Sequence, residues 1–299
     1  MFQELTMIYI PAKEKIQLDL AKQIVKMKEQ LDKTQDTIIN SDSTFRKLGF
    51  SFISRYNANE YARNRGCDLL LMMDGDTVAA FTEFSDCVGM FVHTVGISNI
   101  YTDNAYRGRG CATQMIEEVC RRGKERKMRN VFIGYLTGNY NAVKLYRNLG
   151  FTTDRITDIY VADYSTAKSH CQEYDVRLVK NGDAKREVLE EFNNFYGSGH
   201  ARAEAEHVPD DITRLMKALD CYEVLHDNYS FHIIAKGSIV LHIAEMDKLD
   251  TSAVYTVCRS LMELWHKQAI GIVAEDDKMF DILNLCGFRP YTQILMRQL

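Results

Sequence analysis

The sequence predicts a mixed α/β protein in two successive halves, each holding a mixed central sheet flanked by helices. Three observations carry this. Helix-period and strand-like apolar runs alternate along the 299 residues. Only three prolines, at 11, 209 and 290, interrupt them. The order strand, helix, strand, short helix, Gly-Phe, strand then occurs twice at a nearly constant offset, the mark of an internal duplication.

A short strand opens the chain. "KIQLDLAKQIVKMKEQL" follows with Ile16, Leu20, Ile24, Met27 and Leu31 at three- to four-residue spacing, an amphipathic helix. "SDSTFRKLGFSFISRYNANEYARNRG" reads as one or two further helices ending near Gly66. "CDLLLMMDGDTVAAFTEF" is two apolar runs around Asp74-Gly75, a hairpin. "VGMFVHTVGISNIYT" continues as one or two strands and leads into "YRGRGCATQM" and a helix from about Ala112 to Arg126. "NVFIGYL" is a buried strand, "NAVKLYRNLGF" a short helix stopped by Gly150, and "ITDIYVADY" another strand.

The pattern then restarts. "YDVRLVKNGDAKREVLEEFNNFY" gives a strand, a turn at Asn181-Gly182 and a helix; "YEVLHD", "YSFHIIAKGS" and "IVLHIAEM" are strand-like. "SAVYTVCRSLMELWHKQ" is a helix, "AIGIVAE" a strand, and "KMFDILNLCGFRPYTQILMRQL" a short helix, Gly-Phe and a strand. Set side by side, "EEVCRRGKER" faces "YTVCRSLMEL", "FIGYL" faces "AIGIV", and "LYRNLGFTTDRITDIYV" faces "ILNLCGFRPYTQILMR". The polar stretch "STAKSHCQE" marks the boundary, dividing the chain into residues 1–168 and 169–299.

Composition narrows the function classes. Hydrophobic residues at 46% and charged residues at 26% describe a globular chain with a sizeable core. A formal net charge of −4 offers no basic field for nucleic acid. No apolar run is long enough to span a bilayer, and "MFQELTMIYIPAKEK" lacks the basic start and apolar centre of a signal peptide. Eight cysteines without a C-x-x-C pair point to reduced thiols in a cytoplasmic protein, with neither a disulfide framework nor a zinc site. His200 and His207 in "GHARAEAEH" show no carboxylate–histidine pattern, so no metal is expected. The expectation is a monomer or homodimer without nucleic-acid or membrane partners.

The chemistry concentrates at "YRGRGCATQM", where two glycines and two arginines precede a helix. Glycine weakens a helix, so the position favours access to the backbone. The first amides of a helix lack intrahelical partners, and the macrodipole favours an anion there. Gly108 and Gly110 let successive N–H groups turn into one concavity, and Arg107 and Arg109 add charge. A P-loop would need a Lys-Ser/Thr pair that is absent, and a dinucleotide fingerprint would need glycine where Thr113 stands. The remaining alternative is that the glycines only make a turn.

The strand, the R-x-x-G-x-A of Arg107, Gly110 and Ala112, and the following helix resemble the acyl-CoA pyrophosphate loop of the GNAT superfamily of N-acyltransferases. "GNYNAVKLYRNLGF" is similar to the superfamily's N-x-x-A-x-x-x-Y-x-x-x-G-F segment, with Asn139, Ala142, Tyr146, Gly150 and Phe151 in place. The two segments together resemble that fold over about residues 70–160. The resemblance implies acetyl-CoA as co-substrate and two tandem GNAT-like domains. In such a fold the strand before the loop splays from its neighbour and the pantetheine arm lies in the gap. Main-chain groups near Ile100, Tyr101 and Thr102 would then bond the pantetheine amides. Arg107, Gly108, Arg109, Gly110, Cys111, Ala112 and Thr113 would take the pyrophosphate, with Asn139 contacting the arm or the adenine side. Tyr146 stands where many members keep a general acid for the leaving thiolate, although it could also simply pack on the sheet. For the base, the resemblance implies a carboxylate on the central strands; Glu83 leads, with His93 and Asp103 as alternatives. Cys111 has no neighbouring base in the sequence and reads as a small packing group. "RRGKERKMR" could attract the CoA 3′-phosphate, or be a solvated helix end.

The second half departs from this pattern. "AEMDKLDTSAV" has no glycine or arginine and sets Glu245, Asp247 and Asp250 where a diphosphate would sit; Leu283 takes the place of Tyr146. It reads as a degenerate copy that braces the first and walls its acceptor pocket. The expected activity is acetyl transfer from acetyl-CoA to a primary amine, a small molecule rather than a protein. The alternative on the same fold is a non-catalytic acyl-CoA sensor or partner-binding module; a nucleotide-binding protein is a weaker third.

Overall fold

The computed structural model describes residues 4–48, 56–87, 93–153, 158–163, 177–180, 185–196, 219–226, 229–243, 250–274 and 277–299. Its first half runs β1 (Thr6–Ile10), α1 (Leu18–Ser41), α2 (Ser43–Lys47), α3 (Ala58–Arg63), β2 (Asp68–Asp74), β3 (Thr77–Asp86) and β4 (Thr94–Thr102). It continues with α4 (Cys111–Glu125), β5 (Asn130–Leu136), α5 (Tyr140–Asn148), β6 (Thr152–Thr153) and β7 (Asp158–Asp163). The second half runs β8 (Arg177–Lys180), α6 (Lys185–Tyr196), β9 (Asp220–His226), β10 (Tyr229–Lys236) and β11 (Ile239–Ile243). It ends with α7 (Thr251–Leu264), β12 (Ala269–Ala274), α8 (Asp277–Leu285) and β13 (Arg289–Gln298).

The expected stripe on α1 is real: Ile24 and Met27 are buried, and Ile16, Leu20 and Leu31 pack around them against β2 and β3. Gly75, at φ +58°, turns the β2–β3 hairpin where Asp74-Gly75 predicted it. Met115, Ile116, Val119 and Cys120 seat α4 on the sheet. Gly123 lets α4 approach closely, because a Cβ there would come within 2.6 Å of Leu299 and 3.3 Å of Val95.

The duplication extends to the details of backbone geometry. Helix α5 ends with Phe151 N–H donating to the Tyr146 carbonyl at 3.1 Å and Gly150, at φ +81°, donating to Arg147. Helix α8 ends in the same way, with Phe288 N–H to the Leu283 carbonyl at 2.9 Å and Gly287 at φ +78°. The sequence alignment of Tyr146 with Leu283 is therefore a structural one as well. Helices α4 and α7 likewise both close on a left-handed non-glycine residue, Lys127 and His266.

Among the described residues thirteen strands join one sheet, in the order β1-β2-β3-β4-β5-β13-β7-β12-β11-β10-β9-β8, with β6 on β13. The central four places interleave the two halves. Strand β13 of the second half lies antiparallel beside β5, while β7 of the first half lies antiparallel beside β12. Each core consequently contains the other half's strand: Leu295 packs with Val131, Ile133 and Tyr146, and Tyr160 and Ala162 pack with Val240 and Ile272. The expected boundary at 168/169 lies outside the described residues, and the sheet on either side of it is continuous.

Helix α2 ties the halves together on one face. Asp42 caps it, accepting from Thr44 and Phe45 amides, and also pairs with Arg289 at 2.6 Å. Phe45 meets Tyr291 edge-on at 4.8 Å between ring centroids, and Ser238 donates to the Leu48 carbonyl at 3.0 Å. Among the described residues no helix is long and apolar enough to cross a membrane.

Candidate active site

Strands β4 and β5 run parallel only from Thr94↔Asn130 to Ile97↔Ile133. Beyond Ile97 they separate, because Ser98 is an extra residue in the β3–β4 ladder, which changes register between Glu83 and Phe84. Such a bulge bends its strand and ends pairing on the other side. The resulting cleft is lined from β4 by Ser98, Asn99 and Ile100, and from β5 by Gly134, Tyr135 and Leu136. Asn139 and Tyr146 close one side and Leu31 and Gln35 of α1 the other.

The open edge of β4 carries main-chain groups in alternation. Asp103 N–H donates to the Ala79 carbonyl at 2.9 Å and Tyr101 is paired with Phe81, so Tyr101 directs its peptide groups toward β3. Ile100 and Thr102 turn theirs the other way, toward the gap. Of Ile100, Tyr101 and Thr102, two therefore direct main-chain groups toward the gap. The Tyr101 side chain is buried under α1.

At the end of β4 the chain forms a single 3-10 turn, Asn104–Tyr106, capped by Asp103, whose carboxylate accepts from Ala105 N–H at 2.9 Å. Gly108 and Gly110 follow, both at φ +77°, and Gly110 is the N-cap of α4 without any side-chain cap. A Cβ on Gly108 would meet nothing within 4 Å, so it is conformation rather than crowding that requires glycine there. Gly108 and Gly110 are exposed at the start of α4, beside exposed Arg107 and Arg109. Arg107 donates to the Thr102 carbonyl at 3.3 Å, and Arg109 lies over the Tyr106 ring. Cys111 is buried, its thiol pushed up by burial and directed at the Tyr106 carbonyl, which fits a packing role. Ala112 and Thr113 are half-buried in the first turn.

Tyr146 is 6% exposed, lines the cleft and packs against Phe151. Burial alone pushes its phenol above the ordinary tyrosine value of 10, so it stays protonated. Asn139 caps α5, its side-chain oxygen accepting from Ala142 N–H at 3.3 Å, which leaves its amide nitrogen for the cleft.

Glu83 is 2% exposed on β3, on the face covered by α1 and α3. Lys28 donates to one oxygen at 2.6 Å, Asn99 to the same oxygen at 2.6 Å, and Tyr61 to the other at 2.6 Å. Lys28 also lies near the Tyr56 and Tyr61 rings. Glu83 pushes up the Tyr61 phenol, after burial itself, and Cys67 is pushed up to about 12 by the same two causes. Asn99 both holds Glu83 and lines the cleft, so the carboxylate adjoins the gap through that one side chain. His93 lies elsewhere, exposed at φ +64° before the start of β4, with its carbonyl accepting from Arg129 N–H.

Sequence reasoning missed Lys28, Tyr61, Asn99, Tyr135 and the α1 residues of the cleft. One signal was available: Lys28 falls four residues after Ile24, inside the apolar stripe of α1, where a cation needs a buried partner. In the basic run around the end of α4, Arg121 pairs with Glu118 and Glu125, Arg122 with Glu118, and Arg126 with Asp68 and Asp86, as at a solvated helix end. His200 and His207, like Glu245 and Asp247, lie outside the described residues.

No curated protein sequence matches the chain significantly. Among solved structures, a tandem GNAT protein from the clavulanic acid biosynthesis pathway superposes with a TM-score of 0.54 at 9% identity, covering 99% of this chain and 98% of its own. A GCN5-related N-acetyltransferase from Sphaerobacter thermophilus gives 0.52 at 9% identity, covering 98% and 95%. At such identities the likeness is one of fold, and it spans both halves. Residues 37–151, which hold the splayed strands, the glycine turn and α5, match the profile of the acetyltransferase (GNAT) family. Residues 37–151 are thus similar to the acetyltransferase (GNAT) family, and the fold of the whole chain is like that of a tandem GNAT protein.

Proposed function

We propose that the first half transfers an acetyl group from acetyl-CoA to the primary amine of a small molecule. One observation carries the reading: the gap between β4 and β5 runs into an uncapped, glycine-lined helix N-terminus. An extended arm with amides fits the free edge at Ile100 and Thr102, and a diphosphate fits the amides of Gly108 to Thr113. Each favourable contact of charge with the helix dipole contributes about 0.3–1 kcal/mol. Acetyl-CoA supplies a thioester carbonyl that an unprotonated amine can attack.

The protein's part is placement and proton handling. Tyr146 holds its proton at Oη inside the cleft and donates it toward the sulfur as the carbon–sulfur bond breaks, a role worth about 10²–10⁴-fold. Glu83 takes the amine proton, directly or through water. Three of roughly four acceptor sites on its carboxylate are filled, which leaves one. The part of the cleft under α1, at Leu31 and Gln35, receives the amine.

Thermal unfolding with acetyl-CoA, CoA, NAD and ATP in parallel tests the donor. Acetyl-CoA and CoA at a hundred times their dissociation constants should stabilise by about 2.7 kcal/mol, NAD and ATP by nothing. Tyr146→Phe should bind acetyl-CoA normally and lose at least about 100-fold in turnover of an amine panel. No CoA response in the wild type would end the donor assignment. Normal binding without turnover of any amine would favour a non-catalytic acyl-CoA sensor.

A further inference from the structure

The β5 side of the cleft is backed by a strand of the second half. Once β4 has separated after Ile133, residues Gly134, Tyr135 and Leu136 of β5 have one ladder partner among the described residues, β13, at Ile294, Gln293 and Thr292. Tyr135 and Gln293 stand directly opposite each other, so their side chains share a face. Tyr135 lines the cleft, is 9% exposed, and donates its hydroxyl hydrogen to Gln293 Oε1 at 2.7 Å.

We propose that Gln293 is a positioning residue of the donor cleft: it fixes the Tyr135 ring as cleft wall, and so makes the second half a working part of the first half's acetyl-CoA site. A phenol with two side-chain torsions could swing into a gap that has no strand on its open side. The bond to Gln293 holds the hydroxyl end of a ring that also packs in the core with Tyr146 and Leu295, and Gln293 reaches it because β13 occupies the place beside β5. The copy without a phosphate cradle is thus kept at the site by a side chain, not only by bulk.

The proposal rests on the donor-site reading above, and the test separates the two. Acetyl-CoA is titrated calorimetrically into the full chain as wild type, Gln293→Leu, Gln293→Glu, Tyr135→Phe and the Leu/Phe double variant, with a melting curve for each. Gln293→Leu and Tyr135→Phe should each weaken acetyl-CoA binding about three- to tenfold, the scale of one hydrogen bond. The double variant should be no weaker than the worse single one. Gln293→Glu keeps an acceptor at the same reach and should bind within twofold of wild type. A lower melting temperature with unchanged affinity in Gln293→Leu would make the bond merely structural and overturn the proposal. If that variant does not fold, unchanged affinity in Tyr135→Phe overturns it equally. A wild type that fails to bind acetyl-CoA would bring down the donor reading and this one together, whereas binding unaffected by the variants would bring down this one alone.

Discussion

The two halves splay their sheets by the same device and then part ways one loop later. In the first, the parallel β4–β5 ladder ends at Ile97 and the bulge residue Ser98 follows at once. In the second, the parallel β11–β12 ladder ends at Val240 and the register of β10–β11 shifts across Leu241 immediately after. A helix follows each of these strands along the chain, α4 after β4 and α7 after β11. At α4 the N-cap is Gly110, left-handed and without a side chain, and no side chain caps the helix. At α7 the N-cap is Asp250, whose carboxylate accepts from Ala253 N–H at 2.8 Å. A helix N-terminus holding its own carboxylate has its positive end satisfied and repels a second anion. The duplicated fold was kept and the chemistry at the helix N-terminus was not. A splayed sheet alone therefore does not make a phosphate site.

The largest effect should come from separating the halves. Residues 1–168 alone would leave the β5 edge bare and the first core without Leu295. That fragment should aggregate or stay unfolded, read by size exclusion and amide NMR dispersion. A folded monomer that binds acetyl-CoA would break the claim that the exchanged strands are indispensable.

Making the first half like the second comes next. Gly110→Asp should weaken acetyl-CoA binding at least about 100-fold, since a carboxylate about 5 Å from a phosphate costs about 3 kcal/mol at an intermediate dielectric. Its stability should change little, with a new cap offsetting about 1 kcal/mol of left-handed strain. Undiminished binding, measured calorimetrically, would place the anion elsewhere. The reverse change is smaller: Asp250→Ala should lose about 1 kcal/mol in urea denaturation and gain no CoA binding. A gain of binding would mean the second half is held silent by its cap alone.

The smallest effect tests the seam. The hydroxyls of Tyr291 and Thr137 are buried without a hydrogen-bond partner among the described residues. Burial and nearby Asp36 push the Tyr291 phenol up to about 12. Tyr291→Phe removes an unsatisfied group and should leave stability unchanged or raise it by up to about 1 kcal/mol below pH 10. The sign follows from linkage: a tyrosine pKa raised in the folded state favours folding less as pH climbs from the unfolded value near 10 through the folded one. The wild type should therefore lose stability relative to the variant on that alkaline limb. A clear destabilisation by Tyr291→Phe at neutral pH would reveal a partner for that hydroxyl.

What could be read in the sequence was whatever a few neighbouring residues encode. Glycine at a left-handed position, Gly-Phe after a short helix, the apolar stripe of α1 and the uncapped start of α4 depend on local dihedrals and periodicity. The loop and α5 motifs could be recognised from them, as could the duplication. Glu83 was legible as a residue but not as a buried one, because Lys28, Tyr61 and Asn99 reach it from three different elements. Tyr135 carried no sequence signal at all.

The sequence by itself thus determined the two copies, their elements and which copy leaves a helix end open. Only the tertiary structure decided which strand lies beside which. Duplicated halves end in similar strands, β7 and β13, and the place beside β5 offers much the same ladder to either one. That choice depends on the cores that Leu295, Tyr160 and Ala162 complete at long range. Local pattern cannot encode it, and the Gln293–Tyr135 bond is one of its consequences.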